Sequence, residues 1–392
     1  MLIVLSCRLW RCNPTVEASA LERLPAELRD QILRSIPDLP TLCALVHASP
    51  VMYAQYARNR DNVLRACVDR ELDGLYVHAY ACNKSRATTI GPARTNEVVA
   101  PFLDAYRDCT VRWLATFHLS VARPMTNMYS RWALQNLGAP SEEIRIMRAV
   151  YQCETFHHLF GCHRGRVPGN YRFHEISGLF FTIFDPWEAE AIGCIDEFVR
   201  HGYGRLLVNQ AQPDPDPYKP PNPEPDDELE ESIIMHATVS CGLKMAVRLL
   251  ALDDHDPLAA QMEHCLAHQQ KLEHLITESM SMNAQSDRRW NMDFESQDDA
   301  ELNQEPLVFA GDAPPPLEPP IGWVLLWGGI YSNIYGAYVP EALRQWSYVM
   351  WDERRWSRLG ATDLIAKQWG TEEGEELIGC IEGVFSWRPA DW

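Results

Sequence analysis

The chain has 392 residues, of which 46% are hydrophobic and 23% charged, so a sizeable core is within reach and wholesale disorder is excluded. Its net charge of −19 is unevenly placed: residues 210–320 hold 6 Lys+Arg against 23 Asp+Glu, a balance of −17, whereas residues 1–150 hold 18 against 14, a balance of +4. A negative field repels phosphate backbones, which argues against a nucleic-acid partner.

Residues 1–20 read as an unstructured leader. Met1–Cys7 is apolar but short, and no positive n-region precedes it, so a secretory signal is not expected. The chain then changes character. Pro25 and Glu27 suit a first helical turn, because proline has no N–H to satisfy there and a carboxylate is favoured by the helix dipole. Leu28, Ile32, Leu33 and Ile36 follow at i, i+4, i+5 and i+8, one face of a helix that Pro37 stops. Leu39, Leu42, Leu45 and Val46 form a second apolar group. Ser49-Pro50 starts a third helix with a hydroxyl cap. Asp61 can cap a fourth, in which Val63, Leu64, Cys67, Val68 and Leu72 share a face. Such a small module has more apolar faces than it can bury on itself.

The run Leu24-Pro25-x-Glu27-Leu28-x-x-x-Ile32-Leu33, the spaced leucines after it and Ala48-Ser49-Pro50-x-x-Tyr53-x-x-Tyr56 resemble the F-box of fungal F-box-containing proteins over residues 21–72. Met52 and Tyr53 stand near the place where many members carry Arg-x-Trp. A looser echo lies in Tyr338-Val339-Pro340 and Trp346–Glu353. The resemblance implies a three-helix module that docks on the Skp adaptor of a cullin–RING ubiquitin ligase. Its docking residues would be Leu24, Pro25, Leu28, Ile32, Leu33, Ile36, Leu39 and Leu42. The chain would recruit a protein target and perform no bond chemistry, with a cofactor neither needed nor implied. The alternative is a helical interaction protein whose vestigial F-box serves only as core.

Beyond a loop over Asn83–Asn96, residues 97–392 read as one irregular helical domain. Val98, Val99, Phe102, Leu103 and Tyr106 form one apolar stripe, and Val111, Trp113, Leu114 and Phe117 another. Pro140-Ser141-Glu142-Glu143 opens a helix that Gly161 ends, with apolar rows on two sides that mark it as central. Leu179–Phe184 fits a strand or a buried helix end equally well. Asp185-Pro186-Trp187-Glu188 is a capping-box start, and Gly202 supplies the stop. Seven prolines within residues 210–227 mark a solvated linker. Two amphipathic helices follow over Glu228–Leu252 and Leu258–Met280, and residues 286–320 read as an acidic, disordered loop. Ile321–Val339 is uncharged over 19 positions, yet its glycines, Ser332 and Asn333 favour short buried helices over a membrane span. Eight of the thirteen tryptophans fall in Ile321–Trp392, so this end should pack on the central helices. The fold class is therefore all-α.

Chemistry is sparse. There is no phosphate loop or nucleophile elbow. Twelve cysteines show no C-x-x-C pair, which suits reduced thiols in the cytoplasm or nucleus. Cys153, His157, His158, Cys162 and His163 could supply zinc ligands, but core residues interrupt them and no second pair stands at a finger-like spacing. His264 and His268 share a helix face, but Cys265 occupies the place where a zinc protease needs Glu. Purified protein is expected to carry well under one zinc per chain, and stoichiometric zinc by elemental analysis would overturn that expectation.

Overall fold

The computed structural model describes residues 19–86, 110–133, 139–161, 171–210, 241–251, 276–280, 308–312, 319–327, 339, 341–361 and 363. Among them the structure is mostly helical, with no strand. Residues 1–18 of the leader, the stripe from Val98 to Tyr106, the linker at 211–227, the His264/His268 pair and Cys162/His163 lie outside the described residues. No helix among the described residues is long and apolar enough to cross a membrane.

The chain divides into two compact units, Met1–Pro124 and Met125–Trp392. In the first, α1 (Ala26–Ser35), α2 (Leu39–Ala48) and α3 (Pro50–Arg58) are followed by α4 (Arg60–Glu71), α5 (Tyr76–Ser85) and α6 (Thr110–Phe117). Asp38 caps α2 by accepting from Thr41 N at 2.7 Å, and Ser49 caps α3 by accepting from Met52 N at 3.2 Å. Asp61 does not cap α4. Asn59 precedes that helix, and Asp61 sits in its first turn, where Arg112 of α6 grips it in a two-point ion pair at 2.7 and 2.8 Å. Leu33, Leu39, Met52, Tyr56, Val63, Leu64, Cys67 and Leu72 form the core, joined by Leu114 from α6. The compact unit thus runs past Leu72 to take in α5 and α6.

The second unit is built on α8 (Pro140–Phe160), which follows α7 (Arg123–Ala133). Almost every residue of α8 is buried. Its N-terminus is satisfied by the Glu142 carboxylate, which accepts from Ala139 N at 2.9 Å, and not by the Ser141 hydroxyl. Residues 179–183 are helical, with α9 (Phe173–Phe180) tightening into a single 3-10 turn over Phe181–Ile183 that extended Phe184 ends. Their aromatic rings interlock: Phe156 meets Phe160, Phe180 and Phe181 at centroid distances of 5.1–5.8 Å.

The long helix α10 (Pro186–Gln210) packs along α8. Gly202 does not stop it. The helix runs on through it, and Leu250 lies against that glycine: a Cβ there would meet Leu250 Cδ2 at 2.6 Å. Leu250 ends α11 (Leu243–Leu250), which buries Leu243, Ala246 and Leu249. The C-terminal pieces α12 (Ile321–Trp327), α13 (Glu341–Gln345) and α14 (Glu353–Leu359) pack within the same unit. Trp323 meets Trp187 edge-on at 6.1 Å, and Arg344 forms a buried two-point pair with Glu190 at 3.1 Å. The turn between α13 and α14 places Ser347 in a left-handed conformation, φ 61°, and its hydroxyl shares a hydrogen bond with Tyr129.

Gly322 is the tightest point of this packing. A Cβ there would lie 2.2 Å from the Tyr348 carbonyl oxygen and 2.6 Å from the Trp356 ring. Backbone cannot yield as a side chain can, so Gly322→Ala is expected to destabilise the second unit by about 1–3 kcal/mol or more. Equal denaturant midpoints for wild type and variant would contradict this.

Candidate functional site

The eight residues predicted to dock do not share one environment. Leu33, Ile36, Leu39 and Leu42 are buried within the chain, Leu33 completely. Leu24 and Ile32 are half-buried, Pro25 is exposed and Leu28 is 43% exposed. The helical stripe therefore splits into a covered flank and an open edge. The open edge, Leu24, Pro25, Leu28 and Ile32, is the part a second protein could touch without opening the module.

That edge is held stiffly. Ser49, capping α3, also donates to Glu22 Oε1 at 2.5 Å, and Ser19 N donates to Glu22 Oε2 at 2.9 Å. These bonds hold the Glu22 carboxyl below the usual range. Arg29 Nη1 donates to the Glu22 carbonyl at 2.8 Å, fastening α1 to the turn before it. Asn59 Nδ2 donates to Asp30 at 3.0 Å, tying α1 to the start of α4. At the other end of α1, Arg70 Nη2 donates at 2.5 Å to the carbonyls of both Arg34 and Ile36. A cation there satisfies terminal carbonyls and complements the helix dipole.

Glu71 is the junction that sequence reasoning missed. Its Oε2 accepts from Leu39 N, the first amide of α2, at 2.7 Å. Its Oε1 meets His118 Nε2 at 3.2 Å and Arg123 Nε at 2.9 Å. His118 opens a π turn, His118–Ala122, between α6 and α7. Burial opposes the charge on Glu71, but the His118 bond and charge, the Leu39 amide and Arg123 outweigh it and hold the carboxyl below its ordinary value. No local pattern marks such a residue, because its partners lie 32 and 47 positions away.

In the second unit three of the five candidate zinc residues are taken into packing. Cys153, His157 and His158 are all buried on α8, and Cys153 Sγ lies 3.9 Å from His157 Nδ1. Among the described residues no group of His, Cys, Asp and Glu could hold a metal ion. A cavity of about 20 Å³ lies between Arg145, Arg148, Gln152, Trp187 and Glu188, the room of one water molecule and too small for a substrate. Cysteine chemistry is muted as well. Burial, then the charge of Glu71, pushes the Cys67 thiol up to about 12, and burial first raises that of Cys194 too, so neither is a ready nucleophile.

Comparison with protein-family models, curated proteins and solved structures finds no match for this chain.

Glu71 ties three elements of the first unit together, and its lowered pKa fixes the sign of a pH effect. A carboxyl depressed in the folded state adds stability above its unfolded value of about 4.3, lost as pH falls through the folded value. Glu71→Gln should therefore destabilise the first unit by about 1–3 kcal/mol at pH 7, and the gap to wild type should narrow as pH falls below about 4.3. Hydrogen-exchange protection of α2 and α4 in the full chain measures both; a gap that stays constant with pH would refute the assignment.

Proposed function

We propose that the chain is a non-catalytic recruiting subunit whose N-terminal module docks on the Skp adaptor of a cullin–RING ubiquitin ligase through Leu24, Pro25, Leu28 and Ile32. The observation that carries this reading is the uncovered apolar edge on α1, at the residues of the Leu-Pro-x-Glu-Leu motif. Leu33, Ile36, Leu39 and Leu42 then act from beneath as the core that holds the edge in shape. The edge alone is smaller than a standard interface of about 1,200–2,000 Å², so neighbouring helix surface must join it. The second unit would hold a protein target, and its contribution to rate would be effective concentration.

A second reading is favoured by the burial of four of the eight motif residues: the F-box-like segment serves only as core of a helical interaction protein, and no adaptor binds. One experiment separates the two. Wild-type protein should co-purify with the Skp adaptor, and Leu28→Asp with Ile32→Asp should abolish the association while preserving the helical circular-dichroism signal. Leu33→Asp, placed in the core, should unfold the module instead. Adaptor binding unchanged in the double variant, or absent from wild type, would reject the docking edge.

A further inference from the structure

The C-terminal half of α8 carries buried titratable groups that the docking reading does not use, among them Glu154, His157, His158 and Cys153, whose Sγ lies 3.9 Å from His157 Nδ1. Glu154 and His157 lie against the Gly242–Leu243 corner that starts α11, and His158 adjoins Glu154. Glu154 Oε2 accepts from Leu243 N at 2.8 Å, and its Oε1 stands 3.4 Å from His158 Nε2. Gly242 adopts φ +88°, which L residues rarely adopt; a Cβ there would come within 3.1 Å of Glu154 Oε2 and 3.6 Å of His157 Cβ. The corner thus packs over the Glu154 carboxylate and against the Cβ of His157. The helix it begins is short and is held by Leu243, Ala246 and Leu249, by the Leu250 contact on Gly202 and by the Glu154 cap.

We propose that mild acid releases α11 from α8, with His157 as the group that takes up the proton once the Gly242–Leu243 corner lifts. Charged groups on every packed element bear on this. On α8, Glu154 favours and His158 disfavours a charge on His157. On α10, Asp196 favours it, but Arg200 pairs with both Asp196 and Glu197. On α11, Lys244 and Arg248 are exposed. Burial dominates these effects and lowers the His157 pKa from its ordinary value.

The sign follows directly. A histidine kept neutral by burial costs the closed state nothing at pH 7.5. Below the ordinary value of about 6.5 the opened state gains a proton that the closed state refuses, so opening rises by up to about tenfold per pH unit. Glu154, held below its ordinary value because the His158 hydrogen bond and the Leu243 amide outweigh burial, acts with the same sign at lower pH, where its protonation weakens the cap on α11.

Hydrogen exchange of the full chain, corrected for intrinsic rates, tests this at pH 7.5 and 5.5. Opening of the 243–250 peptide should rise by up to about tenfold, with residues 142–150 of α8 unchanged. His157→Gln should keep the protection at pH 7.5 and flatten the response. A wild-type peptide indifferent to pH, or an equal response in His157→Gln, would overturn the proposal. If that variant does not fold, the Cε1 exchange midpoint of His157 in wild type decides: a value below that of a free histidine supports the proposal, and one at or above it overturns it.

Discussion

A charge removed from water must find an opposite charge or a set of hydrogen bonds, or the chain cannot fold around it. Helix α8 places Glu142, Arg145, Arg148, Glu154, His157 and His158 in a nearly sealed interior, and this requirement shapes the second unit. Glu142 is fully buried; Arg355 grips it at 2.7 and 2.8 Å, and Asp352 N donates to it at 3.0 Å. Arg145 donates to the Trp351 carbonyl at 3.0 Å and to Asp312 at 2.5 Å. Arg148 reaches Glu188 at 3.3 Å, and Glu154 caps α11. Each pair pins a different segment onto the same helix. Removing one partner would leave a buried charge uncompensated, a loss of about 3–5 kcal/mol. The pairs therefore fix where the segments sit more than they add net stability.

The first unit solves a different problem. Its core is aliphatic and aromatic, and one carboxylate, Glu71, collects the loose ends of α2, α4 and the π turn after α6. With little polar material inside, the module depends on covering its apolar stripes. It has too few helices to cover all of them, and the edge of α1 stays open.

Much of the secondary structure was legible because it is local. Ser49-Pro50, Asp185-Pro186 and Gly161 mark helix ends through chemistry within a few residues. Gly202 misled for a physical reason: a glycine also serves where a neighbouring side chain needs room, and Leu250 is 48 positions away. The long pairs were invisible for the same cause. Glu142 and Arg355 are 213 residues apart, and nothing in either neighbourhood names the other. The candidate site was legible in part. At about 100° per residue, Leu28, Ile32, Ile36 and Leu33 fall near 0°, 40°, 80° and 140° around α1. Periodicity gives the width of that stripe. Which flank is covered depends on the helices packed against it, and these cover the Leu33 and Ile36 side.

The open flank gains its meaning from company and stiffness. A single exposed leucine is ordinary on any protein surface. Here Leu28 stands with exposed Pro25 and half-buried Leu24 and Ile32 where α1 begins. The segment that presents it is fixed by the bonds of Glu22 to Ser19 and Ser49, and by Arg29 reaching back to the Glu22 carbonyl. A surface ordered before it meets a partner loses little conformational freedom on binding, so modest buried area yields more net affinity. In the proposed docking, the bracing and the exposure of this edge together would let it serve as an attachment surface.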